Sequence, residues 1–568
     1  MCQRRATNYS GNSYLGIHLG IERLEAVLLN AELQVTYTAV IRYDVDLPEY
    51  GTIFGVHFNA LSNKFQINPV MYIKALDMLL NCLASQGADL HSVAAIGGAA
   101  HQYGAIYWSL AGFRSLCGLN PLMRLHEQLT EKSFSLRSFF YMNDSLNVQS
   151  YDMDEQLGGA EQISMITGSK SFVHTTASEI RKVFQDYPFE YGNTMRISLM
   201  SSFLASLFVG SIASIEYSDA SRMNLLNIAE KQWSPECLNA CAPCLSLRLM
   251  KAIATNRLQG RIADYFVNRW NFRSDCIIAT ATGSSASFLA SLNLDSCFLF
   301  ISLSDRDELV MRFTQRPNLT EGCIICHPTL PNEYVGLIRF RNGGKVRARI
   351  CKEVANGDWL EFNEMLNATP MGNDNHIAVH FDEQDYILKT HGTLRWTKYN
   401  DELSKEVLQA TQQFPDPKLE ARALIEGQLM YYRAIAAKSG FILGPDTKVL
   451  VSGNYCSSQS ILQIVADIFN APVYIIKGPA AYVMGAAYRA RYAFYEYRED
   501  NCNCRKCRNC RGRDTRLSYS EFIQQIPDNL SLVTEPTAGC AAIYEPLTAR
   551  FMRMCSLLET EKTAKKKG

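Results

Sequence analysis

Two kinds of apolar run alternate along this chain: short β-branched stretches that stop at glycine, and longer stretches with helical spacing. Tyr14–Gly20 followed by Glu25–Asn30 predicts a β-hairpin, and Ala31-Glu32-Leu33 leads into a third strand at Val35–Tyr43. Met71–Gln86 predicts an amphipathic helix that buries Val70, Tyr72, Ile73, Leu76, Leu79 and Leu80, ahead of a strand at Val93–Ile96. Met195–Asn227 reads as a strand, a buried helix and a tight polar turn at Tyr217–Ser221, and Cys276–Gly283 as a buried strand. In the second half Cys297–Leu303, Cys323–Pro328 and Tyr334–Arg341 predict strands, Glu420–Lys438 a long helix and Ala542–Glu559 a closing helix.

Lys448–Arg491 reads as one crossover module. Its strand, Lys448–Ser452, ends in Gly453, and Ser457–Ser460 offers hydroxyls that can cap a helix. Ile461, Leu462, Ile464, Val465 and Ile468 carry that helix until Asn470-Ala471-Pro472 stops it before Val473–Ile476. Gly485-Ala486-Ala487 then lets a second helix lie tight against a sheet. A strand, a glycine turn and a helix N-terminus together present backbone N–H groups to a phosphate or a polar ligand edge.

Length adds that one core is not enough: 568 residues imply at least two domains. Apolar residues make up 47% and charged residues 20%, as in a folded globular protein, and a net charge of zero argues against nucleic acid as the main partner. Met1–Arg5 is not followed by an apolar run of signal-peptide length, and no stretch approaches the roughly 20 apolar residues of a membrane span, so a cytoplasmic protein is expected. Cys82, Cys237, Cys241 and Cys540 lie singly in apolar or helical segments, where reduced thiols are expected.

Lys448–Arg491, the opening hairpin with Asp46–Thr52, and above all Met195–Asn227 together resemble the FGGY family of sugar kinases, and within it the eukaryotic xylulose kinases. The resemblance spans residues 14–495 and resumes at 517–558. It implies an α/β fold of two actin-like ATPase (ribonuclease H-like) domains around an interdomain cleft. The expected order is a flexible 1–13, a sugar-binding domain at 14–294, a nucleotide-side domain at 295–496, an insertion at 497–516 and a C-terminal helical segment with a basic tail at 517–568. It also implies a reaction, transfer of the γ-phosphate of ATP, with Mg²⁺, to D-xylulose to give D-xylulose 5-phosphate.

Carried over residue by residue, the family's site changes character here. The aspartate base falls on Ser284, which cannot take a proton from a sugar hydroxyl at neutral pH, with Ser285 beside it. In the sugar loop the family's histidine falls on Tyr103, with His101 two positions away, and its sugar-binding aspartate falls on Asn143, or on Asp144 if the strand slips by one residue. The substrate arginine falls on His174, and the small-Asn-Gln run after it becomes Ala177-Ser178-Glu179. The acidic first turn that helps hold the metal–phosphate end of ATP becomes His18-Leu19-Gly20-Ile21, where His18 reads as a histidine tolerated at a strand end. The second phosphate turn becomes Ser304–Glu308, whose Asp305, Asp307 and Glu308 read as a solvated hairpin turn that repels polyphosphate. On the nucleotide side the resemblance assigns Trp359, Gly453, Asn454 and Ser457; Trp359 suits a core position equally well, while Asn454 and Tyr455 fill space that a Gly-Ala pair leaves for adenosine.

These changes lead to the expectation of a xylulose-kinase-like protein with weak or no kinase activity, acting as a sugar- or partner-binding pseudoenzyme; an active xylulose kinase with rearranged site residues is the alternative. Asn501–Asp514 has no counterpart in the family and sets Cys502, Cys504, Cys507 and Cys510 among arginines and a lysine. A solvated basic loop with reduced thiols is preferred there over a zinc or copper(I) clip or a patch for RNA or lipid, because zinc usually draws its cysteine pairs from two separated segments. Deleting Asn501–Arg513 should then change the melting temperature little, since loop length costs only about 0.6 kcal/mol per doubling. A drop of the size expected on losing a structural zinc, on the order of 10 kcal/mol, would establish a clip instead.

Overall fold

The computed structural model describes residues 11–59, 64–102, 104–140, 147–171, 175–293, 295–317, 319, 322–398, 408–478, 480–500, 517–526 and 529–565. Taken in chain order, the strands that build its two large sheets are β1 (Ser13–Leu19), β2 (Arg23–Leu29), β3 (Val35–Arg42), β4 (Val93–Ala100), β5 (Leu258–Arg261), β6 (Ile277–Ala279) and β7 (Thr282–Gly283). They continue as β8 (Phe298–Ser302), β9 (Asp307–Phe313), β10 (Cys323–Cys326), β11 (Tyr334–Phe340), β12 (Lys448–Ser452), β13 (Val473–Ile476) and β14 (Leu530–Thr534). The helices that bear on the argument are α1 (Pro69–Ser85), α2 (Met200–Val209), α3 (Ser284–Ala290), α4 (Pro417–Lys438), α5 (Gln459–Phe469) and α6 (Ala481–Asp500). Contacts divide the chain into one unit of 1–293, 325–332 and 478–528 and a second of 294–324, 333–477 and 529–568.

In the first unit the expected hairpin forms, and the sheet runs β5-β6-β4-β1-β2-β3 with β7 added beside β4. β1 and β4 are parallel, and their partners include Gly16 opposite Gly97 and His18 opposite Ala99. That glycine pair admits α6: a Cβ on Gly16 would fall 2.4 Å from the Val483 carbonyl, and one on Gly97 would fall 2.0 Å from that of Ala486. A core on the sheet includes Leu15 and Ile17 with Leu76, Leu79 and Leu80 of α1 and Phe203, Leu204 and Leu207 of α2. Asn68 caps α1 by accepting from the Val70 N–H.

Two local expectations change. Cys276–Gly283 is not one strand but β6 and β7, because buried Arg489 of α6 donates to the Thr280 carbonyl and, at 3.1 Å, to Thr282 Oγ1. Tyr217–Ser221 is a short helix rather than a turn, since Glu216 accepts from the N–H groups of Ser218 and Asp219 at its start.

The second unit's sheet runs β10-β11-β9-β8-β12-β13-β14, over a core that includes Leu424, Ile425 and Leu429 of α4 and Ile461, Leu462 and Val465 of α5. Here β12, α5 and β13 match the pattern read from Lys448–Ile476, with Ser458 as the cap that accepts from the Ile461 N–H. The helix after them does not stay with this unit. Residues 478–528 return to the first, where the small face of α6 meets the Gly16/Gly97 pair, so Lys448–Arg491 is not one module and a boundary at 496 does not mark where the chain changes unit. The cysteines at 502, 504, 507 and 510 lie outside the described residues.

The fit of α6 predicts the effect of enlarging its small face. A Cβ on Gly485 would lie 1.8 Å from the Ser287 carbonyl, so Gly485→Val should cost about 1–3 kcal/mol in a urea unfolding curve. Stability equal to that of the parent would show that the helix can move off the sheet without loss.

Candidate functional site

β7 ends at Gly283, paired with Ala100 of β4, and α3 starts at once with Ser284. One strand away lies His18, which also faces β4 through Ala99, so the two meet although 266 residues apart: His18 Nε2 is 2.9 Å from Ser284 Oγ. Across the hairpin His18 pairs with Glu25, and His18 Nδ1 is 3.0 Å from Glu25 Oε1. The imidazole also stacks on Tyr482, with centroids 5.1 Å apart. Burial pushes the Glu25 carboxyl up, but hydrogen bonds from His18 and Arg23 and their charge outweigh it and hold it below the usual carboxylate range. An ionised Glu25 only accepts, so Nδ1 carries a proton, and in the neutral ring Nε2 is left to accept from the Ser284 hydroxyl. His18 is therefore not merely tolerated at a strand end; it is 8% exposed and bonded on both nitrogens. The residue missed by the sequence reading is Glu25, and the signal for it was the hairpin register, which sets it opposite His18.

Around Gly283 lies a second polar group. Gln102 Nε2 donates to Asp219 Oδ1 at 3.3 Å and Ser201 Oγ to Oδ2 at 2.5 Å, while a Cβ on Gly283 would fall 2.4 Å from Asp219 Oδ1. Burial, aided by the charge of Glu216, pushes the Asp219 carboxyl up to about 6. Glu179 is buried, accepts from the Ala105 N–H at 3.1 Å, and is pushed by that burial up to about 8. His101 is buried with its Nε2 3.0 Å from the Tyr72 hydroxyl, so it serves the core. Ser285 is half-buried, and Tyr103, Asn143, Asp144 and His174 lie outside the described residues.

In the second unit the acidic turn is not solvated. Asp307 is wholly buried and takes two bonds from Arg347, at 2.6 and 2.7 Å, one from the Tyr432 hydroxyl at 2.7 Å and one from the Ser304 N–H at 2.9 Å. Glu308 accepts from Arg339 at 2.9 Å, which leaves Asp305 as the exposed acid of the three. Arg347, 40 residues further on, supplies the countercharge. Its guanidinium also lies 4.2 Å above the Tyr455 ring, which in turn meets Trp359 edge-on at 5.2 Å. Gly453 has a φ of +98°, and a Cβ there would fall 2.1 Å from the Leu303 carbonyl; Asn454 and Ser457 are exposed.

This geometry can be set beside known proteins. The chain matches the FGGY family of carbohydrate kinases, in its N-terminal domain over residues 138–289 and in its C-terminal domain over residues 351–494. It is 34% identical over 541 residues to the xylulose kinase of Rattus norvegicus, covering 95% of this chain and 96% of that one. This chain belongs to the FGGY family. Xylulose kinase 2 of Arabidopsis thaliana is 31% identical over 488 residues, covering 85% of this chain and 87% of its own. Among solved structures, the xylulose kinase from Rhodospirillum rubrum superposes with a TM-score of 0.74 at 12% identity, covering 97% of this chain and 99% of that one. The ligand-bound xylulose kinase from Lactobacillus acidophilus does so with a TM-score of 0.72 at 15% identity, covering 96% and 98%. The fold is thus the two-domain actin-like ATPase architecture expected from the sequence.

FGGY kinases use ATP with a metal ion. Arg347 is already engaged by Asp307, and the Tyr455 ring fills the space between Trp359 and that guanidinium. Among the described residues no cluster of three histidine, cysteine or acidic side chains is placed to hold a metal.

Glu179 generates a test of the first unit. A buried carboxyl with a folded-state pKa near 8, against about 4.5 unfolded, holds its proton longer when folded, so stability is full below pH 4.5 and falls as pH rises toward 8. Glu179→Gln should remove that slope, with a gain over the parent that grows from pH 4.5 to 8 and stays constant above. Parallel stability–pH curves for the two proteins would show that Glu179 is not held protonated.

Proposed function

We propose that this chain is a xylulose-kinase-like protein that binds a sugar of the D-xylulose type and transfers phosphate to it weakly or not at all. Ser284 carries the reading. It stands where the resemblance puts an aspartate base, and its hydroxyl is held by His18 at 2.9 Å, so no carboxylate occupies that place. A positioned general base contributes about 10²–10⁴-fold to such a transfer. The filled nucleotide side, with Tyr455 between Trp359 and Arg347, supports the same conclusion by narrowing the seat for ATP and its Mg²⁺. A cytoplasmic setting belongs to this reading, favoured by the buried thiols of Cys237, Cys241 and Cys276.

A second reading, an active xylulose kinase with rearranged site residues, is favoured by Asp219. Its carboxyl lies against Gly283, next to Ser284, with a pKa near 6 that suits proton transfer at neutral pH. Both oxygens, however, are already engaged by Gln102 and Ser201. ADP release with D-xylulose and ATP–Mg²⁺ separates the two. The expected turnover is at background, at least about 10²-fold below an active xylulose kinase run beside it, and Ser284→Asp should raise it. Turnover matching the active enzyme, abolished by Asp219→Asn, would replace the first reading with the second. Saturating D-xylulose should still stabilise the fold, by about 2.7 kcal/mol at 100 Kd.

A further inference from the structure

We propose that Ser284, His18 and Glu25 form a nucleophile–base–carboxylate relay that makes Ser284 an activated nucleophile toward small carboxylic esters. The three residues come from three separate elements, α3, β1 and β2, and are joined end to end at 2.9 and 3.0 Å. Those are two of the contacts on which nucleophilic catalysis by serine depends: a base on the hydroxyl, and a carboxylate that fixes the base's tautomer and orientation. Neither contact is loose. His18 is held in the β1–β2 ladder opposite Glu25 and stacked on Tyr482, and Arg23 steadies the far oxygen of Glu25 at 3.4 Å.

Among the described residues the hydrogen bonds of His18 run to Glu25 and Ser284, and Glu25 also meets Arg23. Sugar phosphorylation does not require this device, because a carboxylate at position 284 would serve that reaction alone. Instead, two of the residues read as departures from the family, at the first turn and at the base position, are complementary to each other. Ser284 is half-buried rather than sealed in the core.

The chemistry balances with water as the only co-reactant. Ser284 Oγ attacks the ester carbonyl carbon while its proton passes to His18 Nε2. The bond from that carbon to the alkoxy oxygen breaks, and the imidazolium returns the proton to the departing alcohol. Water, deprotonated by His18, then attacks the acylated Ser284, releases the carboxylic acid and restores the hydroxyl. Ser284 and His18 are catalytic residues in this scheme, and Glu25 is a positioning residue.

The test is a fluorophosphonate probe with the intact chain, with the modified peptide located by mass spectrometry, and p-nitrophenyl acetate as the turnover substrate. Stoichiometric labelling on Ser284 is expected, absent from heat-unfolded protein and from Ser284→Ala. His18→Gln should label and turn over about 10²–10⁴-fold more slowly. Glu25→Gln should lower kcat with little change in KM and remove a far-downfield imidazole N–H proton resonance seen in the parent; melting curves establish that each variant is folded. Native protein that gains no label on Ser284 at saturating probe overturns the proposal. Labelling of folded His18→Gln at the parent rate does the same. ADP release is not read in this experiment, so failure here leaves the sugar-kinase reading untouched.

Discussion

Where Gly16 and Gly97 lie opposite each other on β1 and β4, the sheet has no side chains to hold α6 away, and the Val483 and Ala486 carbonyls come to where a Cβ would be. That close approach sets the depth of the whole helix. It brings Tyr482 to the His18 ring, Arg489 to the Thr280 carbonyl and the Tyr482 carbonyl to Ser287 Oγ at 2.7 Å. These contacts fall on His18, on the stretch between β6 and α3 and on α3 itself, so the surroundings of Ser284 depend on two glycines more than 180 residues away.

Buried charge is handled differently in the two units. In the second, Asp307 and Arg347 are both almost fully buried, and the cost of taking them out of water is offset by a bidentate pair, by bonds that Tyr432 and Ser304 donate to the carboxylate and by one that the guanidinium donates to Gln428. Such a cluster says more about specificity of arrangement than about stability, for it closes Asp307 on Arg347 and takes that guanidinium out of reach of a phosphate. In the first, Asp219 and Glu179 have few partners and are instead pushed toward their neutral forms. Glu25 is the exception, kept ionised by His18 and Arg23, and that ionisation gives the imidazole its direction.

Much of the fold was legible because its signals are local. Alternation and glycine stops placed the opening hairpin and β12; helical spacing and caps placed α1, α4 and α5; small residues marked α6 as a close-packing helix.

What individual side chains do was not legible. His18 as a tolerated histidine and Asp307 as a solvated acid were reasonable from their neighbours in sequence, and both were overturned by partners 266 and 40 residues away. Likewise Lys448–Arg491 reads as one unit, yet α6 packs elsewhere. The sequence by itself determined the elements, the family and which chemical groups stand at the site, because hydrophobic period, capping and motif identity are properties of near neighbours. The tertiary structure alone decided which side chains meet, and so which carboxyls are ionised, which cations are engaged and whether a serine faces water or an imidazole, because burial and hydrogen bonding depend on contacts that the chain makes only after it has folded.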